Sequence, residues 1–360
     1  MRQLATIQKI KNIRDIEGKD RVQVATILGY DVIIGKGMYQ EDQHVCFFEI
    51  DSLFPKDSEF WKEDLERFKY RIKTMKVNTP NGPIYGQGWC IPLEYMMKYI
   101  KQFKPDIYDK IINTNEIKIY EGLEVTEYLD ITKYDPELIE NSSKLLPGNA
   151  EGNFPTEYLS KSDETRLQGC LGVLEELKDY PYVIRKKYEG TSITFIKIDD
   201  KDRVCSRNLM LKKPQEGDPK SDYWDMYNKY PGIAGLLNEG FAVQAEMYGE
   251  GIMKNPLGMK GKHIAVFNII DIKRRKYVDD FDLIELCRQY DLPICEEVER
   301  GLSFKYTYDE LAQLADSQTY PNGHLCEGIV VRPQTEMYSK SLRGRLSFKQ
   351  ISRPYLAKEK

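Results

Sequence analysis

Long apolar runs are missing from this 360-residue sequence. No stretch approaches the roughly 18 residues that a membrane-crossing helix needs, and the opening Met1-Arg2-Gln3-Leu4-Ala5 shows neither a long apolar region nor a cleavage signal. The expectation is a cytoplasmic protein with no membrane partner. Histidine is scarce, with only His44, His263 and His324, and the seven cysteines (Cys46, Cys90, Cys170, Cys205, Cys287, Cys295 and Cys326) contain no C-x-x-C pair. A structural zinc site is therefore not expected, and scattered free thiols suit a reducing compartment. A surplus of one charge sign is lacking too: 53 Lys and Arg against 57 Asp and Glu leave a formal charge of −4. That balance excludes a protein coated in positive charge that would cling to any nucleic acid, although a local basic stripe from Lys340 to the C-terminus remains.

What is present reads as about two globular domains. Up to about residue 100 the β-branched and aromatic runs 22–35, 44–54 and 71–77 are separated by Gly-, Pro- and Asn-rich turns. Short strands with closed turns in that length point to a small β-barrel of OB type, a class that binds nucleic acid, or alternatively to an SH3-like barrel. Residues 141–156, rich in small and turn residues, read as a linker between an N-terminal domain, 1–140, and a second domain, 157–360.

In the second domain Leu167, Leu171, Leu174 and Leu177 recur at helical spacing before Pro181. Strands are expected at 182–187, 192–198, 203–206, 241–246, 263–272, 328–332 and 346–349. Helices are expected at about 224–237, 281–290 and 308–317, the last opened by a capping box of Thr307 and Glu310. The fold class is α+β with a mostly antiparallel sheet.

Three short segments carry chemistry. Lys187-Tyr188-Glu189-Gly190 sets a lysine at a strand end, a carboxylate two residues on, and a glycine where the backbone turns. K-x-[DE]-G arises by chance in about one in five chains of this length, so it means little alone. Glu327-Gly328-Ile329-Val330-Val331-Arg332, an acid and a glycine before an apolar strand that ends in arginine, should arise by chance in fewer than about one in a hundred. Ser347-Phe348-Lys349 follows near the C-terminus. Ser206-Arg207-Asn208, the segment 244–249 with Glu246, and the strand with Phe267 lie between the first two.

These six elements, in this order, resemble the covalent nucleotidyltransferase superfamily of polynucleotide ligases and capping enzymes. Thr6 to Ile10, Gly18 to Arg21, Val45 to Ser52, Phe154-Pro155 and Lys161 to Glu164 further resemble the RNA ligases of Deinococcus and Naegleria type, which carry an N-terminal OB domain. Only the stretch to Lys360 follows Lys349, and the expectation is therefore that the additional OB domain of DNA ligases and capping enzymes is absent.

The resemblance implies an ATP-dependent RNA ligase that joins 5′-phosphate and 3′-hydroxyl ends, with RNA or RNA/DNA duplex ends as partners and a monomeric state. Lys187 would be the nucleophile that forms lysyl-AMP. Mg²⁺ or Mn²⁺ would be held largely through water by Glu189, Glu246 and Glu327. Glu246 would also contact ribose, Phe267 would stack on adenine, Arg207 would bind sugar or phosphate, Lys349 the α-phosphate, and Arg332 nearby phosphate or acid groups. The chemistry is coherent on its own terms. A free lysine, with a pKa of about 10.4, holds little neutral amine at pH 7, and acids beside it raise that value further. A divalent cation offsets the acids and stabilises phosphate oxygens.

Two positions depart from the family pattern. Ser347 stands where a second lysine is common, so a phosphate contact is missing or comes from Arg345. Lys186 stands where a glutamate near the base is common, which opens the choice between ATP and GTP. A guanylyltransferase and a non-catalytic nucleic-acid-binding module of the same fold are the alternative readings.

Overall fold

The computed structural model describes residues 3–56, 58–134 and 149–358. The chain divides into two compact units, Met1–Ile139 with Leu356–Lys360, and Glu140–Tyr355.

The first unit is built on a five-stranded antiparallel sheet in the order Tyr30–Gly35, Lys19–Ile27, Ala5–Ile16, His44–Phe48, Trp89–Pro92. Its central strand serves two partners. Residues 5–9 pair with the fourth strand and residues 10–16 with the second, and a register shift between Ile10 and Asn12 lies at the changeover. An extra residue at such a point bends a strand and increases its twist, which is how a sheet curls towards a barrel. Ile10, Ile27, Tyr30, Val32 and Phe47 fill the inner face. The run 22–35 is two strands, because Leu28, at φ 54°, turns the chain back on itself. Helices Leu93–Phe103 and Pro105–Ile112 follow.

The second unit holds two sheets. The larger runs Ala150–Asn153, Leu209–Leu211, Lys201–Cys205, Thr191–Ile198, Phe241–Gly249, Lys262–Asp271, Lys276–Tyr277. The smaller runs Thr165–Arg166, Phe348–Ile351, Gly328–Pro333, Tyr182–Lys187, Glu297–Gly301. Every pairing is antiparallel except that of Thr165–Arg166 with Phe348–Ile351. Helices Asp222–Lys229, Gly232–Asn238 and Asp280–Gln289 accompany the larger sheet, and Tyr308–Ser317 accompanies the smaller, opened by the capping box expected at Thr307 and Glu310.

Several expectations are corrected. Residues 141–148 of the anticipated linker lie outside the described residues, and Ala150–Asn153 is an edge strand paired with Leu209–Leu211. The leucine-spaced segment is not one helix. A 3-10 turn at Leu167–Gly169 and a short helix Val173–Leu177 share it, with Gly169 and Gly172 between, and glycine favours such breaks. The helix expected at 224–237 is divided at Pro231, whose ring cannot continue a helix begun before it. The last strand is Phe348–Ile351, two residues later than its pattern suggested. No described helix is long and apolar enough to cross a membrane.

Candidate nucleotide-binding site

Hydrogen bonding separates the two lysines at the end of Tyr182–Lys187. Tyr182 and Ile184 enter the core, while Val183, Arg185, Lys186 and Lys187 all contribute to the lining of a cleft. The Lys186 amine is engaged by Glu296 at 2.6 Å and the Thr319 carbonyl at 3.0 Å. Lys187 Nζ donates to Glu327 Oε2 at 2.6 Å. Burial works against its ammonium form, but Glu327, Glu246 and Asp163 outweigh burial and hold the amine above its ordinary pKa.

Glu327 reaches this position through the antiparallel pairing of Lys187 with Gly328. A Cβ on Gly328 would lie 2.2 Å from the Gln350 carbonyl oxygen, so only glycine lets these strands meet. Glu246 arrives from the larger sheet opposite Ser192, and a Cβ on Gly190 would lie 2.3 Å from the Met247 carbonyl oxygen and 2.9 Å from Glu246 Cγ. The turn glycine is therefore what admits the glutamate strand beside the lysine strand.

Phe267 owes its placement to a bulge. Gln244 pairs with Asn268 and Ala245 with Val266, which leaves Phe267 as the extra residue. Its neighbours in the strand are buried, but Phe267 is half-exposed and lines the cleft. Bulges re-aim side chains in this way and free a backbone group from the ladder. Here the Phe267 carbonyl accepts from Arg332 Nη1 at 2.6 Å.

The other Arg332 donors go to Glu164 Oε1 at 2.7 Å and Ser347 Oγ at 2.9 Å. Arg332 thus lines the cleft with its guanidinium held by protein groups. Ser347, at the position of the family's second lysine, is a partner of that arginine. Arg345 bonds Glu336 and Asn268 and lies over the Tyr277 ring at 4.0 Å. It borders a separate groove of about 890 Å³ that contains none of the expected site residues.

Lys349 sits opposite Val330 in the sheet, and burial, followed by the charges of Lys187 and Arg166, pushes its amine down to about 7. Arg207 bonds Asp163 at 2.8 and 2.9 Å. Of the expected residues Lys187, Glu246, Phe267 and Arg332 line the cleft and Arg207, Glu189, Glu327 and Lys349 do not, although Asp163 lies within electrostatic reach of both Lys187 and Lys349.

A lysine facing two acids in a cleft, with an aromatic wall and an arginine beyond, matches the order of motifs read in the sequence, and the model of the family described as RNA ligase matches residues 180–351. The similarity of this segment is to the RNA ligase family. An OB-fold domain model matches residues 4–93 of the first unit. Over nearly its whole length the chain is similar to solved structures of the Naegleria gruberi RNA ligase. A mutant with AMP and Mn is 26% identical with a TM-score of 0.81, covering 99% of each chain. Another mutant with ATP and Mn is 25% identical with a TM-score of 0.79, again covering 99% of each. The ligase with PPi is 26% identical with a TM-score of 0.79, covering 100% of this chain and 99% of that one. Comparison with curated protein sequences gives no match.

The structure adds residues to the cleft of the second unit that sequence reasoning did not assign. Glu164, the partner of Arg332, belongs to a phrase noted in the sequence only for its family resemblance. Ser162 lines the cleft and shares a hydrogen bond of 3.1 Å with Ser192. Tyr320 meets the Lys187 turn through its hydroxyl. A tyrosine 133 positions away carries no local pattern that could have marked it.

Proposed function

We propose that this protein is an ATP-dependent RNA ligase acting through lysyl-AMP. The observation that carries this reading is Lys187 Nζ, 2.6 Å from Glu327 and facing a cleft lined by Glu246, Phe267 and Arg332. In the first step the Lys187 amine attacks the α-phosphorus of ATP. An N–P bond forms, the P–O bond to the β-phosphate breaks, and pyrophosphate departs with the electron pair. Glu327 is placed to take the proton that the attacking nitrogen sheds. The adenylate then passes to an RNA 5′-phosphate, and a 3′-hydroxyl attacks that activated phosphate and expels AMP.

Phe267 stacks on the adenine, and its carbonyl, held by Arg332, keeps the ring at its station. Lys349, its amine pushed down to about 7 and so about half protonated at neutral pH, becomes fully charged beside the anionic phosphates and meets the α-phosphate as a point charge. Arg207 and Asp163 flank the sugar and phosphate path. Glu246 contacts ribose.

No group of three or more His, Cys, Asp or Glu among the described residues is gathered closely enough to grip a metal directly. The oxygen-only set of Glu189, Glu246 and Glu327 fits Mg²⁺ or Mn²⁺ held largely through water. When bound, that cation offsets the carboxylate charge around Lys187 and stabilises the phosphate oxygens.

The reading extends to nicks or breaks in duplexes with RNA on the 3′-hydroxyl side, gripped beside the break by the OB unit through backbone contacts. The seven buried free cysteines support a reducing, cytoplasmic setting. The test is incubation with α-labelled ATP and a divalent cation. We expect covalent label on the wild type and none on Lys187→Ala. An unlabelled wild type, or undiminished label on the variant, rejects the proposal. Preferential labelling by GTP would select a guanylyltransferase instead.

A further inference from the structure

The turn that carries Lys187 is tied to the segment ahead of Glu327 at three points. Lys186 Nζ donates to the Thr319 carbonyl at 3.0 Å. The Tyr320 hydroxyl donates to the Lys187 carbonyl at 3.4 Å and accepts from the Glu189 amide at 3.0 Å. Tyr320 is 2% exposed and makes an edge-on ring contact with Tyr188 at 5.9 Å. It is itself held in a tight turn, in which its amide donates to the His324 carbonyl at 2.8 Å and its carbonyl accepts from Gly323 at 2.8 Å. One hydroxyl thus bonds a carbonyl and an amide on either side of Tyr188, at and just beyond the last residue of the strand Tyr182–Lys187.

From these contacts we infer that Lys186 and Tyr320 are positioning residues that staple the Lys187–Glu189 turn to the Thr319–Tyr320 segment and so set the nucleophile's reach to the α-phosphate. The inference rests on the ligase reading above. It gives Lys186, which stands where the resembled ligases commonly have a glutamate, a task of its own: its amine is spent on the Thr319 carbonyl and Glu296 and so anchors the end of the strand. Glu327 follows Tyr320 by seven positions, so the same segment that clamps the turn also delivers the carboxylate on Lys187. A misplacement of about 1 Å in a reacting group costs on the order of a hundredfold in rate.

The experiment measures single-turnover adenylylation of the full chain with α-labelled ATP, together with amide hydrogen exchange over the Tyr188–Gly190 segment. Tyr320→Phe removes only the hydroxyl. It should slow the rate at saturating ATP roughly ten- to a hundredfold, leave the half-saturating ATP concentration within about twofold, and speed exchange at Glu189. Lys186→Gln should slow the same step, and Lys186→Arg, which keeps a donor to Thr319, should restore it. Should Tyr320→Phe fail to fold, the Gln and Arg pair at Lys186 decides the matter.

Wild-type rates in both Tyr320→Phe and Lys186→Gln would overturn the inference while the ligase reading stood. So would a loss of ATP affinity in proportion to rate, since that is the mark of general disruption. A wild type that takes no label removes the reading beneath it, and faster Glu189 exchange in Tyr320→Phe would then show a structural tie with no catalytic role.

Discussion

Arg332 Nη1 donates to the main-chain carbonyl of Phe267 at 2.6 Å, tying a strand of the smaller sheet to the bulge of the larger one. The same guanidinium pairs with Glu164, whose carboxyl is drawn below its ordinary pKa because Arg332, Arg345 and Ser347 together outweigh the opposing effect of burial. Removing one member of such a pair strands the other charge in a poorly solvated place. Arg332→Ala should therefore destabilise the protein by about 3 kcal/mol or more. Urea unfolding would measure this, and a midpoint unchanged from wild type would contradict it.

The bulge makes a prediction about ATP rather than stability. With Phe267 half-exposed on the cleft, loss of its ring removes a stacking surface worth about 0.5–1.5 kcal/mol. Phe267→Leu should raise the half-saturating ATP concentration for label transfer roughly two- to tenfold, and Phe267→Tyr should stay close to wild type. Equal ATP dependence in all three proteins would show that the ring packs without touching the base.

Gly190 tests the approach of the lysine and glutamate strands. An added Cβ would meet the Met247 carbonyl oxygen at 2.3 Å and Glu246 Cγ at 2.9 Å, and the first of these is backbone that cannot swing aside. Gly190→Ala should cost about 1–3 kcal/mol of stability and also reduce label transfer, because Glu246 is displaced with its strand. A variant of wild-type stability and activity would show that the strands have room to separate.

Lys349 yields a pH dependence with a definite sign. Its amine titrates at about 7 in the folded protein, against about 10.4 in an unfolded chain. Between these values the unfolded chain holds a proton that the folded one does not, so stability rises with pH through that window. Below it both states carry the charge, and the folded state bears the full cost of burying it. Lys349→Met should raise the Tm, and by more at about pH 6 than at about pH 10. Thermal melts at the two pH values measure the difference, and an equal gain at both would refute the shift.

The fold class, the strand that ends at Lys187 and the capping of the helix after Thr307 were set by the sequence, because these depend on local period and on short-range hydrogen bonding. The sequence also nominated Lys187, Glu246, Phe267 and Glu327 through family order. The first unit's helices were not legible, since its β-rich runs coloured the reading of the whole region. Neither was the break in the leucine-spaced segment, where glycine outweighed a helical period.

Tertiary structure alone decided how the nominated residues are used. Both lysines at the end of one strand line the cleft, but Lys187 meets Glu327 while Lys186 meets Glu296 and the Thr319 carbonyl. A bulge, which depends on the partner strand, exposed Phe267. Ser347 and Arg345 found Arg332 and Glu336 rather than a shared place in the cleft. Contacts such as those of Glu164 with Arg332 and Tyr320 with Lys187 join residues more than a hundred positions apart. Hydrogen bonds of that kind depend on where two sheets come to lie, and no local pattern in the chain records it.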